Sequence, residues 1–164
     1  MTVLVSSSVA RGGSAARRLR TRAQAYLRRL GRSDAELSIL ITGDSGIRRL
    51  NRVWRKKDRA TDVLSFPLSD PPGAGPALGD VVISIDTAVR RGGRDARTVR
   101  LELDRYLAHG ILHLLGYDHE ERDDAEVMAA GEEALVRGEG LVGSALRTES
   151  KGRNGAVARR RKKG

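Results

Sequence analysis

"ARTVRLELDRYLAHGILHLLGYDH", residues 96–119, is the longest helical pattern in the chain, and its last eleven residues hold all three histidines. Val99, Leu103, Leu107, Ile111 and Leu114 recur at three- and four-residue steps, so the helix has one apolar stripe that must be buried against another layer. Asp95 stands where it can cap the first turn. Gly116 falls where the pattern stops, and a glycine there can take the left-handed conformation that ends a helix and turns the chain.

Working outward, the segments that can supply that layer are short and mixed. "TVLVS" near the N-terminus reads as a strand, and residues 14–30 as an amphipathic helix: Ala15, Leu19, Ala23, Tyr26, Leu27 and Leu30 form its apolar face, arginines its outer face, and Gly31 its end. "ELSILIT", residues 36–42, alternates like a strand. Asp44 is then expected to cap a short helix through Ile47, Leu50 and Trp54. "TDVLSFP" and "GDVVISI" are two further strands, separated by a Pro- and Gly-rich loop. Residues 86–91 start a helix that "RRGGRD" interrupts, and "DDAEVMAAGEEALV" reads as a last, acidic helix. This order lacks the regular alternation of a doubly wound fold. It predicts an α+β domain over residues 1–142: a small, mixed four-stranded sheet covered by helices, with the histidine helix in a cleft. Residues 143–164 lose apolar periodicity and read as a basic, disordered tail.

Composition narrows the chemistry. The chain has 164 residues, no cysteine and a net charge of +10. There is no disulfide framework, thiolate ligand or cysteine nucleophile, which fits a reducing cytoplasm. The opening apolar run is too short for a signal peptide, and no window approaches a membrane span, so a soluble cytoplasmic protein, expected to be a monomer, is the reading. Residues 147–164 carry eight Lys or Arg against one acid, and residues 11–59 fifteen against four, whereas residues 117–139 hold nine acids and two bases. A basic side opposed to an acidic side suggests a polyanion partner, or a surface that reflects composition alone.

His109 and His113 are four apart on the helix, so both imidazoles leave one face and can hold one ion; the turn at Gly116 can bring His119 back as a third ligand. Three nitrogens leave the fourth position of tetrahedral zinc open, as in a catalytic site. The spacing is that of the long zinc-protease signature, H-E-x-x-H-x-x-G-x-x-H, except that Gly110 replaces the glutamate that serves as general base. Peptide hydrolysis is thereby disfavoured, and an anionic phosphodiester becomes the better substrate class for a basic protein.

"HGILHLLGYDH" closely resembles the signature of the YbeY family of bacterial endoribonucleases. "LNRVWRKKDRATDVLSFP", residues 50–67, and "LGDVVISID", residues 78–86, resemble two further blocks of that family, in the same order. The resemblance implies a small α+β domain with one zinc ion held by His109, His113 and His119, and a functional arginine at Arg55. It further implies single-strand-selective cleavage of RNA in ribosomal RNA maturation, at the 16S 3′ end, and in late ribosome quality control. The implied partners are ribosomal RNA and the small ribosomal subunit, with a ribosomal protein or GTPase. The rival reading is a ribosome-associated assembly factor whose metal is structural and which does not itself cleave.

Arg55 also fits the chemistry independently, because a guanidinium clamps a phosphoryl group or stabilises its developing charge; the alternative is a solvated surface arginine. Lys56, Lys57 and Arg59 would add backbone contacts. Asp118 either orients an imidazole or caps the following helix, the cap being favoured. Arg105 either lines the cleft or pairs with Glu102 or Asp104. Ser65 lacks the surroundings of a serine triad. Trp54 and Phe66 are expected in the core rather than stacked on bases.

Overall fold

Alternating apolar residues in four short segments build one sheet in the order β1-β2-β4-β3. The computed structural model describes residues 1–118 and 122–138. Its elements are β1 (Thr2–Ser7), α1 (Gly13–Arg29), β2 (Glu36–Thr42), α2 (Asp44–Arg55), β3 (Val63–Pro67), β4 (Ala77–Ser84), α3 (Ile85–Gly92), α4 (Ala96–Leu114) and α5 (Arg122–Arg137). β1, β2 and β4 run parallel and β3 lies antiparallel on the edge beside β4, so the sheet is mixed, as expected. The boundary at residue 142 and the tail lie outside the described residues.

Strand periodicity splits the core between two faces. Leu37, Ile39, Ile41, Val81 and Ile83 join Leu19, Tyr26, Leu27, Leu107 and Ile111 of α1 and α4 in the main core. On the other face, Val82 and Leu64 pack against Ile47 of α2 with Leu40, Leu50 and Phe66 alongside. The predicted stripe of α4 is buried at Leu103, Leu107, Ile111 and Leu114. Asp95 caps α4 by accepting from the amides of Arg97 and Thr98.

Two expectations at α2 fail. Asp44 is the first helical residue, and Gly43 occupies the cap position without a side-chain bond. The Asp44 amide is satisfied instead by Asp86 Oδ2 at 2.9 Å. The Asp44 carboxylate accepts from Ser84 Oγ (2.8 Å) and Thr87 Oγ1 (3.0 Å) and pairs with Arg90. The starts of α2 and α3 lie side by side, so a neighbouring element does what local chemistry would otherwise do. Burial raises the Asp44 pKa, but the hydrogen bonds from Ser84, Arg90 and Thr87 outweigh it and hold the carboxyl below its usual range. Trp54 is not core: it is 66% exposed, while α2 buries Ile47 and Asn51. The sheet ends at β3, and the last turn of α2 has only that edge strand to lie against.

Candidate functional site

The cleft forms where α4, the edge strand β3 and the end of α2 converge, and its volume is about 970 Å³. α4 lies so close to the sheet here that a Cβ on Gly110 would stand 2.7 Å and 3.0 Å from the two methyl carbons of Val81 and 3.3 Å from Ser65 Oγ. Glycine at 110 is therefore a packing requirement. The position that carries the protease glutamate faces the sheet and has no room for a side chain. Ser65 Oγ donates to the Gly110 carbonyl at 3.2 Å, fastening β3 to the helix; Ser65 is thus structural rather than a nucleophile.

One turn of helix brings His109 and His113 to the same face of α4, and both line the cleft. Their Nε2 atoms are 3.0 Å apart. Two imidazoles bound to one tetrahedral zinc at ~2.0–2.1 Å would hold their nitrogens about 3.3 Å apart, so this pair needs only a small adjustment. His109 Nδ1 lies 3.2 Å from Glu132 Oε1 of α5. A carboxylate can only accept, so this contact is made by the Nδ1–H tautomer, in which Nε2 is the atom available as a ligand; a carboxylate on the other ring nitrogen is how metal-binding histidines are oriented. The residues present thus fit a metal ion. His119 lies outside the described residues, and among the described residues no cluster of three candidate ligands occurs.

Gly116 adopts φ +91°. The amide of Gly116 donates to His113 O and that of Tyr117 to Leu112 O, the paired bonds that close a helix on a left-handed glycine. Tyr117 packs back on the main core, and burial raises its phenol pKa. The predicted stop is therefore formed, and it sends the chain along the cleft wall to Asp118, which lines it.

Arg55 lines the same cleft as the two histidines. Its Nη2 donates to the carbonyl of Ser65 at 2.7 Å, and its guanidinium lies 5.7 Å from the centre of the Phe66 ring. One arm of the fork is anchored and the cation is held in place. Asn51, itself buried, donates from Nδ2 to Arg59 O at 2.9 Å, and its backbone carbonyl accepts from Lys57 N. The loop after α2 is thereby folded so that Lys57 and Arg59 also line the cleft, whereas Lys56 occupies the left-handed cap position with its ammonium on Val53 O. Arg105 takes the local alternative, pairing with Glu102 at 3.4 Å away from the cleft. Asp104 pairs instead with Arg18 and Arg22.

Sequence reasoning missed Glu132 and Asn51. Glu132 is 23 residues from the histidine it holds, within an acid-rich helix where nothing local singles it out. A polar residue at a buried position of an amphipathic helix was the available signal for Asn51.

Fold and site define a small α+β protein with a basic, histidine-bearing cleft at a sheet edge. Residues 12–139 match the family model described as endoribonuclease YbeY. The endoribonuclease YbeY of Anaeromyxobacter sp. (strain Fw109-5) is 69% identical over 147 residues, 90% of this chain and 77% of that protein. The Aquifex aeolicus (strain VF5) protein of the same name is 49% identical over 104 residues, 63% of this chain and 69% of that one. The solution structure of a Thermotoga maritima protein superposes with a TM-score of 0.61 at 24% identity, covering 84% of this chain and 88% of that one, and shares the fold. This chain belongs to the endoribonuclease YbeY family.

Proposed function

We propose that this protein is a zinc-dependent endoribonuclease that cuts single-stranded ribosomal RNA during maturation of the small ribosomal subunit in the cytoplasm, acting as a monomer with a ribosomal protein or GTPase as partner. The observation that carries the reading is that the two paired imidazoles of α4 and an anchored arginine line one basic cleft, in a member of an endoribonuclease family. His109, His113 and His119 would hold the ion, which when bound supplies a Lewis acid and a nucleophile at neutral pH. Glu132 keeps the Nδ1 proton on His109 and so leaves its Nε2 available as a ligand. Arg55, with one arm on Ser65 O, directs the rest of a permanently charged fork at the phosphoryl oxygens, where negative charge grows as phosphorus is attacked. Lys57 and Arg59 hold the flanking backbone without reading sequence.

α4 is seated in the main core by Leu103, Leu107, Ile111 and Leu114, none of which is a candidate ligand. Metal removal is therefore expected to silence the enzyme and leave it folded, against the rival in which metal organises the fold. The test is cleavage of precursor ribosomal RNA by the full chain, with chelator, with zinc restored, and with His113→Ala. Zinc-restored cleavage that the variant lacks is expected. Undiminished cleavage by His113→Ala refutes the metal assignment, and no cleavage by folded, metal-loaded protein refutes the nuclease reading.

A further inference from the structure

Trp54 is the chain's one tryptophan, and 66% of its surface is exposed. A large flat ring left in water on a small protein has a cost that burial would remove, and here the surroundings say what covers it. Trp54 precedes Arg55, which lines the cleft, and it meets Phe66 edge-on with ring centres 6.3 Å apart. Phe66 in turn lies under the Arg55 guanidinium. Val53 and Leu68, near Trp54 and Phe66 in sequence, are exposed as well. Residues 48–59 around it contain seven Lys or Arg and one acid. That acid, Asp58, is already engaged by Arg48 and Arg52.

An apolar protein partner would meet these neighbouring cations at a desolvation cost, whereas a nucleic acid strand satisfies both parts. Its phosphates meet the cations and its bases meet the ring. We propose that Trp54 is a stacking platform for a base of single-stranded RNA at the rim of the cleft, adjoining the phosphate that Arg55 engages. The proposal rests on the ribonuclease reading and adds a binding subsite to it. Stacking is tolerant of base identity, so the platform contributes affinity and single-strand selectivity, since a paired base cannot offer its face.

Because the chain has a single tryptophan, its fluorescence reports this position alone. The full chain is titrated with oligoadenylate and separately with inorganic polyphosphate, a polyanion without bases. Oligoadenylate is expected to quench the emission in a saturable way, and polyphosphate to bind without quenching. Trp54→Ala should weaken oligoadenylate binding by about 5- to 150-fold and leave polyphosphate binding unchanged, with Trp54→Phe retaining most of the affinity. Circular dichroism establishes that both variants are folded. Saturable oligoadenylate binding without quenching, equal affinity of Trp54→Ala, or equal loss for both ligands overturns the platform and leaves the nuclease reading standing; unquenched emission with unchanged affinity would assign the face to a protein. Absence of any oligoadenylate binding by the wild type refutes both.

Discussion

Replacing Gly110 with alanine tests the reading that a packing constraint, rather than a lost function, put glycine where zinc proteases carry their base. The new Cβ would come 2.7 Å and 3.0 Å from the methyls of Val81, a fully buried β-branched residue in the middle of the sheet that cannot swing aside. Overpacking of this kind costs about 1–3 kcal/mol. Alanine recovers about 1 kcal/mol because glycine is a poor helix former. The net expectation is a loss of about 1 kcal/mol, which lowers the midpoint of thermal unfolding by roughly 2–4 °C in a chain of this size. Val81→Ala removes the opposing methyls and by itself costs about 1.5–3 kcal/mol. In that background the clash is gone, so Gly110→Ala should stabilise by up to about 1 kcal/mol. Urea unfolding of the four members of the cycle, followed by circular dichroism, measures the sign change directly. The same effect of Gly110→Ala in both backgrounds, whether gain or loss, would refute the contact as the reason for glycine.

Glu132→Gln should weaken zinc binding by about 10–100-fold in a chelator competition, because the carboxylate that orients His109 is gone while the volume is kept. Arg55→Ala is expected to lower single-turnover cleavage at saturating RNA by about 10²–10³-fold, with Arg55→Lys intermediate because it keeps the charge and loses the fork. The protein should lose stability in alkali. Burial pushes the phenols of Tyr26 and Tyr106 from 10.0 up to about 12, with Asp104 reinforcing the shift at Tyr26 and Glu102 at Tyr106, against opposing pulls from their arginines. The folded chain retains these protons between pH 10 and about 12 while the unfolded chain releases them. The stabilisation is therefore complete below pH 10 and is lost as pH rises through about 12. Tyrosinate absorbance that titrates near 10 with the fold intact would contradict this.

Much of the architecture is legible in local sequence because periodicity, caps and breakers act over a few residues. The strand alternation, the stripe of α4, Asp95 at its start and Gly116 at its end all depend on neighbours within one or two turns. The pairing of His109 with His113 is equally local, since helix geometry alone places residues four apart on one face.

The remaining features required three-dimensional neighbours. Asp44 gave up its expected cap because Asp86, 42 residues away, lies beside the same helix end. Trp54 continues an apolar pattern but lies where the sheet ends, and no periodicity marks the edge of a layer. Glu132 meets His109 only because α5 packs on α4, and Gly110 is needed only because α4 presses on Val81. The chain by itself determined its helices, strands and histidine pair through short-range geometry. Which groups share the cleft was decided by packing between elements distant in sequence, an interaction that no local pattern encodes.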